Sequence, residues 1–308
     1  MDNSTLANAT TDLCVDSEQT PYPSVIWVAL AVLMLATFFG NLLVIVSIAY
    51  FRQLHTPTNF LVLSLAVSDM LLGVSVLPFV TFLSMTPCSI HQKFLCRVKS
   101  LFDSLLCFAS ILNLYCICID RYYAICRPLS YHSKINSRVI AGMISMTWSA
   151  AVVLALVVAF GGKKNKARCA ITQNMRLSFL AALCAFYVPA VVMSTLYTKI
   201  LLVVRRQVRS IQVANSSESV SKAERKATLT LAKVICAFLL LWAPFSICST
   251  YPFSLPLPVF ETFKFFGWFN SALNPFIYAY SHSWYRSAFR LFLTGKIFTE
   301  TCANTRLN

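Results

Sequence analysis

Seven apolar blocks dominate the chain, at residues 25–50, 58–84, 96–120, 139–160, 177–198, 230–252 and 259–281. Each has about the 20 residues that a helix needs to span a hydrocarbon core. The first, fourth and fifth hold no Asp, Glu, Lys or Arg. The fold expected is an all-α membrane protein, a seven-transmembrane helix bundle. Only 12% of the 308 residues are charged, about half the share usual in a soluble domain, which argues against a soluble enzyme and against disorder. The net charge is +15, but the basic residues lie between apolar blocks. That is the pattern of basic membrane loops, so a lipid bilayer is the expected surrounding and no nucleic acid is expected as a partner. Twelve Cys are dispersed rather than dense enough for a disulfide scaffold.

Residues 1–24 form a polar arm with no basic region ahead of the first block, so no signal peptide is expected. Asn3-Ser4-Thr5 and Asn8-Ala9-Thr10 are glycosylation sequons in this arm, which has no Lys or Arg. They point to an amino terminus outside the cell, with Asn3 and Asn8 as acceptors. With that orientation the three inner loops and the tail hold one, four, seven and four Lys or Arg, against nine on the outer side. The bias supports a cytoplasmic carboxyl terminus. The expected organisation is a glycosylated arm (1–24), a membrane domain (25–282), and a carboxyl-terminal segment (283–308). The last begins with a short amphipathic, basic helix after the seventh span, from Trp284 through Phe292, fitting an interfacial helix. Cys302 gives a weak lipidation signal.

Ionisable groups inside the apolar blocks are functional hypotheses, because a charge at membrane depth is costly. Asp69 sits midway along the second block, Asp103 near the outer end of the third, and Asp120-Arg121-Tyr122 at its inner end. Asp103 and Arg121 are 18 residues apart, five helical turns, and so share a face about 27 Å apart along the axis. Ser110 falls near that face. An enzyme would bring such groups to one centre; this spacing suits a device that senses on one side and reports on the other. The four His lie outside the blocks or at their ends, without metal-ligand spacing, and no internal repeat of the transporter kind is visible. No enzyme is expected, and a secondary transporter is only a remote alternative.

The motifs identify a superfamily. Gly40-Asn41, Leu65-Ala66-x-x-Asp69, Cys96, Asp120-Arg121-Tyr122, Trp148, Pro189 with Tyr197, Phe238 with Trp242-x-Pro244, and Asn274-Pro275-x-x-Tyr278 occur in order, one set per block. The chain resembles a rhodopsin-like G-protein-coupled receptor along nearly its full length. Within that superfamily it resembles the trace amine-associated receptors. Thr56 to Leu61, Ser110-Ile111 and the run from Asp120 to Leu129 match that family, as does Gly295-Lys296-Ile297-Phe298. Its seventh-helix signature is matched from Asn270-Ser271 to Trp284, with two departures, His282 and Tyr285.

The resemblance implies a small-molecule agonist and a heterotrimeric G protein of stimulatory or olfactory type, in a chemosensory, olfactory receptor. It makes Asp103 the ammonium anchor, among Cys107 and the aromatic candidates Phe102, Trp242, Phe245, Phe265 and Trp268. A carboxylate there can form a charge-assisted hydrogen bond with a protonated amine, and aromatic walls can cage the cation. Asp69, Ser110, Asn270, Ser271 and Asn274 match the superfamily's sodium pocket. An allosteric sodium ion is the only cofactor in view, and a polar helix-packing network is the overlapping alternative. Pro189, Ile111 and Phe238 match a connector below the ligand site. Arg121 would be held by Asp120 and Glu224 and, once released, would meet a G protein with Tyr197 and Tyr278. Cys96 and Cys169 would form a disulfide; Cys14 and Cys88 are candidates for a second.

Two features strain a simple amine reading. The fifth block reads Leu180-Ala181-Ala182-Leu183-Cys184-Ala185, with no acid and no useful hydroxyl, so neither a catechol nor a diamine is expected. Lys99 lies one turn above Asp103, and the resemblance turns Lys264 toward the pocket mouth. Such cations favour a zwitterion or an anionic amphiphile, for example a sulfated steroid, bound through Lys99 and Lys264. Lys264 paired directly with Asp103, as an internal lock that ligand breaks, is a third alternative.

Overall fold

The computed structural model describes residues 24–79, 90–161, 163–164, 171–172, 175–214, 218–250, 257–281 and 283–295. In chain order the helices are α1 (Ser24–Tyr50), α2 (Pro57–Leu71), α3 (Ile90–Cys126), α4 (Pro128–Lys134), α5 (Ser137–Gly161), α6 (Met175–Ala182), α7 (Val188–Ala214), α8 (Glu218–Thr250), α9 (Leu257–Ser281) and α10 (Ser283–Leu293). A two-residue strand pair joins β1 (Lys163–Lys164) to β2 (Ile171–Thr172), antiparallel; this addition to the helical bundle leaves no signal in so short a sequence. Wide π turns continue α2 through Leu72–Val76 and join α6 to α7 through Leu183–Tyr187. Pro189 supplies a reason for the second: it has no N–H to offer the Ala185 carbonyl four residues back, in the middle of that turn.

Local signals set several ends. Thr56 caps α2, its hydroxyl accepting from the Asn59 N–H at 3.3 Å, with Pro57 in the first turn. The Asn136 side chain accepts from the Val139 N–H at 3.0 Å and starts α5. Gly295, at φ +67°, ends α10 in the left-handed conformation that glycine adopts without steric cost. Several helices outrun their apolar blocks. α3 extends the third block at both ends and α8 starts twelve residues ahead of residue 230, because polar residues continue a helix beyond the hydrocarbon without difficulty.

Among the described residues six stretches are long and apolar enough to cross a membrane: Trp27–Tyr50, Pro57–Phe79, Phe94–Cys126, Ser137–Gly161, Phe179–Arg206 and Ala232–Thr250. α9 is also long enough, at 25 residues, but carries Lys264, Asn270, Ser271 and Asn274. The helices form a ring, with α1 on α2, α7 on α8, α8 on α9 and α9 back on α1; α3 packs on α2, α5 and α7. Leu61, Leu65, Ile111, Leu114, Met193 and Phe238 are buried between them.

The polarity of this bundle is inverted relative to a soluble protein. Val28, Val32, Leu35 and Phe39 form an exposed apolar stripe on α1 at helical spacing. Asn41, Asp69, Asp103, Asn113, Asp120, Asn270 and Asn274 are buried. Lipid rewards this arrangement and water would not.

α10 folds back on the bundle. Tyr285, one of the two departures from the family signature, is buried and its hydroxyl donates to the Gly40 carbonyl at 3.4 Å. Burial pushes its phenol up to about 12, so it remains a donor at neutral pH. Gly40 is also where α1 meets α9: a Cβ there would stand 2.9 Å from two atoms of the Pro275 ring. The Gly40→Ala variant is therefore expected to be destabilised by about 1–3 kcal/mol, read as a lower unfolding temperature of purified receptor. Gly142→Ala is the control. A Cβ there meets nothing within 4 Å, and the change should be neutral or stabilising by up to about 1 kcal/mol.

Candidate functional site

Three buried carboxylates mark three levels along α3. At the first, Asp103 is 5% exposed and fully engaged. Lys264 Nζ of α9 lies 2.6 Å from Oδ2. The Trp268 indole N–H donates to Oδ1 at 2.8 Å, and the Cys107 thiol approaches the same oxygen at 3.6 Å. Lys264 and Trp268 are four residues apart and so lie on one face of α9. Lys99 stands one turn before Asp103 on α3, its ammonium 5.8 Å from the centre of the Trp268 ring; that of Lys264 is 5.3 Å away. Asp103, Lys99 and Lys264 together carry a formal charge of +1. Trp268 thus has a role that composition did not reveal, as hydrogen-bond donor to the carboxylate it was expected only to wall.

An aromatic group lies beside this level. Trp242 meets Phe245 edge-to-face at 6.1 Å, and Phe245 meets Phe260 at 5.2 Å. Gly267 admits Trp242 against α9: a Cβ there would lie 3.2 Å from the indole. Phe265 packs beside buried Trp268 in the neighbouring cluster. Phe102 does not join them. It is 41% exposed, because the residue next to Asp103 is turned about 100° around the helix. Phe260 was not anticipated, and nothing in its sequence setting singles it out.

At the second level Asp69 on α2 accepts three hydrogen bonds. Ser110 of α3 and Ser271 of α9 donate to Oδ1 at 2.9 and 2.7 Å, and Asn274 of α9 donates to Oδ2 at 2.8 Å. Asn41 of α1 adds a bond to the Ser271 carbonyl at 3.2 Å. Asn270 is buried, and its Oδ1 has no hydrogen-bond partner among the described residues. Ile111, Phe238 and Pro189 are all buried between the first and third levels, with Phe238 5.8 Å from Phe186.

At the third level Asp120 is fully buried. Arg121 Nη2 lies 2.6 Å from its Oδ2. Thr58 of α2 donates to the same oxygen at 2.8 Å, and Tyr131 of α4 donates to Oδ1 at 2.9 Å. Arg121 also donates to Thr58. Burial lifts the Tyr131 phenol above its usual range, which keeps it a donor. Thr58 and Tyr131 were not anticipated as partners. Beside Arg121 opens a cavity of about 340 Å³, lined in part by Thr58, Thr230, Val234 and Tyr278. Tyr122 and Tyr197 are half-buried against the main core.

Some expectations fall outside the description. Asn3, Asn8, Cys14, Cys88, Cys169 and Cys302 lie outside the described residues, and so does the side chain of Glu224. Cys96 is disulfide-bonded.

Residues 40–278 match the 7 transmembrane receptor (rhodopsin family). The chain is 37% identical to trace amine-associated receptor 9 of Mus musculus, over 96% of this chain and 92% of that protein. It is 36% identical to trace amine-associated receptor 1 of Macaca mulatta, over 90% of each. With trace amine-associated receptor 5 of Rattus norvegicus it shares 39% identity, over 88% of this chain and 86% of the relative.

The first level yields a stability test. Removing one partner of a fully buried ion pair costs about 3–5 kcal/mol; Lys264 retains 23% side-chain exposure, so the Lys264→Met variant should lose less than that. Adding Asp103→Asn to it removes the stranded charge and should restore much of the unfolding temperature. A double variant no more stable than Lys264→Met would show that the pair is not coupled.

Proposed function

The chain belongs to the rhodopsin family of seven-transmembrane, G-protein-coupled receptors, in its trace amine-associated branch, and on that premise we propose a chemosensory, olfactory receptor whose agonist is a small amine with an apolar body. This is a family of multi-pass membrane receptors, not of enzymes. In the proposed orientation the receptor sits in the plasma membrane with the amino terminus outside. Asp103 then faces the outer side and Asp120-Arg121 the cytoplasm, where a G protein of stimulatory or olfactory type would bind.

The observation that carries the reading is that the Asp103 carboxylate is buried and already holds an ammonium, that of Lys264, at 2.6 Å. The site is thus built to bind a primary ammonium group, and an amine agonist would take the place of Lys264. The Trp268 N–H keeps the carboxylate oriented during the exchange. Trp242, Phe245 and Phe265 receive the apolar body. Displacing Lys264 detaches α9 from α3 at this level, while Ser271 and Asn274 on the same helix still hold Asp69.

At that level the donor set fits a hard monovalent cation: the Asp69 carboxylate, the hydroxyl oxygens of Ser110 and Ser271, and Asn270 Oδ1, which is buried without a partner among the described residues. These residues would hold a sodium ion, which supplies positive charge to Asp69. At the third level Asp120 restrains Arg121. Movement of α8 away from α3 would widen the cavity lined by Thr230 and Val234 and let Arg121 turn into it.

A second reading is favoured by the two lysines. With Lys264 on Asp103 and Lys99 beside Trp268, the pocket carries a net positive charge, which suits a zwitterionic or anionic amphiphile such as a sulfated steroid. Its anion would meet Lys99 and Lys264.

The test is cAMP in cells expressing the receptor, against amines and against sulfated or carboxylated amphiphiles, with Asp103→Ala and Lys264→Ala variants matched for surface expression. The amine reading expects amine potency to fall about 30-fold or more in Asp103→Ala, equivalent to about 2 kcal/mol or more for one partner of a desolvated charge pair. Responses to anions alone, lost in Lys264→Ala, would select the second reading. The inner end has its own test: Tyr131→Phe removes one of the two hydroxyl donors to Asp120, and basal cAMP should rise about two- to five-fold. Unchanged basal cAMP would mean that Tyr131 does not restrain Arg121.

A further inference from the structure

Lys233 lies inside the sixth apolar block, near the start of the span Ala232–Thr250, and no step above uses it. Its side chain is exposed on the outside of the bundle, not turned inward. The ammonium lies 3.9 Å from the centre of the Tyr280 ring of α9. Tyr280 is itself 76% exposed. A second cation meets the same residue at its backbone. Arg286 of α10 donates from Nη1 to the carbonyls of Ala279 and Tyr280, at 3.0 and 3.1 Å. That anchors the guanidinium at the end of α9 and leaves its other N–H groups to point elsewhere. No carboxylate pairs with Lys233 or Arg286 among the described residues.

Next to these cations the surface is apolar. Leu240, two turns along α8 from Lys233, and Phe276, one turn along α9 from Tyr280, are both exposed. Two cations at the edge of the hydrocarbon, beside an apolar crease between two helices, form a surface with two requirements. It needs negative charge at one end and an alkyl chain along the other. Free phosphate or nucleotide meets only the first; a zwitterionic phospholipid meets the second but carries its own ammonium. An anionic glycerophospholipid meets both, its phosphate between Lys233 and Arg286 and an acyl chain along Leu240 and Phe276.

We infer that the inner end of the α8–α9 crease is a binding site for an anionic glycerophospholipid, with Lys233 and Arg286 as its phosphate ligands and Tyr280 as its platform. Under the orientation proposed above this is the cytoplasmic leaflet, which carries anionic lipids. Occupancy ties α8 to α9 and α10. Val234, the neighbour of Lys233, lines the cavity beside Arg121, so a bound lipid bears on the helix whose movement opens that cavity. Binding itself does not depend on the identity of the agonist.

Native mass spectrometry of full-length receptor in detergent tests this, with phosphatidylserine and phosphatidylcholine as probes. Retention of phosphatidylserine should exceed that of phosphatidylcholine by about five-fold or more in the wild type. The Lys233→Gln variant should retain the two equally, with an unchanged unfolding temperature. Arg286→Gln should reduce the preference too, but it also removes a cap from α9, so Lys233→Gln carries the test. Lys134→Gln, an exposed cation on α4, is the control for bulk charge and should keep the preference. No preference in the wild type, a preference that survives Lys233→Gln, or an equal loss in Lys134→Gln would each overturn the site. Displacement of the lipid by millimolar inorganic phosphate would also overturn it, in favour of a simple anion site. None of these outcomes bears on agonist responses, so the inference and the amine reading fail separately.

Discussion

A carboxylate buried between apolar helices has no water to turn to, and Asp69 takes its hydrogen bonds from Ser110 on one neighbouring helix and from Ser271 and Asn274 on another. Lipid tails are as apolar as leucine, so burial of hydrocarbon gives helices in a membrane little reason to prefer one another over lipid. The preference must come from close packing and from polar groups that find partners only in one arrangement. Asp69 is such a group, and so is Asp103. Both reach across to α9, whose residues Lys264, Trp268, Ser271 and Asn274 recur at steps of four, three and three along one side. That stripe fixes the rotation of α9 about its own axis. Gly40 and Gly267 then let the helix approach Pro275's neighbour α1 and the Trp242 indole closely.

The same helix therefore serves two carboxylates. Lys264 and Trp268 hold Asp103, and less than one turn after Trp268 Ser271 begins to hold Asp69. A change in what occupies Asp103 is felt by α9 as the loss or exchange of one attachment while the next is kept. Gly267, between Lys264 and Trp268, places the Trp242 ring against the backbone of α9 beside the Asp103 level. There is little room for a side chain between Gly267 and Trp242, so in the proposed function a shift of α9 toward α8 at this height would press on Trp242. Trp242 belongs to α8, the helix whose inner half lines the cavity next to Arg121. Under the proposed function, the route from the Asp103 level to the Arg121 cavity would need no long chain of side chains; two helices and one indole would span it.

Much of this was legible in the sequence, for definite reasons. All seven spans can be read directly as apolar blocks; among the described residues α9 alone of the seven falls short of the apolarity of the others, because of its stripe of polar partners. The Asn274-Pro275-x-x-Tyr278 signature then supports the seventh block. Asp69, Asp103 and Asp120-Arg121 stood out because ionisable residues within apolar runs are rare and costly. Partner choice was harder to read. Sequence left Lys264 open between a surface cation, a ligand contact and a partner of Asp103, since only the relative rotation of α3 and α9 decides. Trp268 was visible as an aromatic but not as a donor. Phe102, named among the aromatic candidates, is 41% exposed and turned about 100° around α3 from Asp103. Thr58 and Tyr131 reach Asp120 from two other helices, across separations of 62 and 11 residues, which no local pattern encodes.

The two ends of α3 use one device in two ways. At each, a buried carboxylate is fixed by a cation and by uncharged hydrogen-bond donors. Around Asp103 the cation comes from another helix, so the ion pair is a strut between α3 and α9. Around Asp120 the cation is the next residue on the same helix, and the donors Thr58 and Tyr131 come from elsewhere. Breaking the outer pair therefore changes how two helices are joined. Breaking the inner one separates no helices joined by an ion pair, although Arg121 would give up its bond to Thr58 of α2; in the proposed function it would free a guanidinium to reorient into the adjacent cavity. A device that must receive a small molecule at one end and present a new surface at the other needs this asymmetry. In the proposed function the outer pair would convert binding into helix displacement, and the inner pair would convert helix displacement into the exposure of a charge.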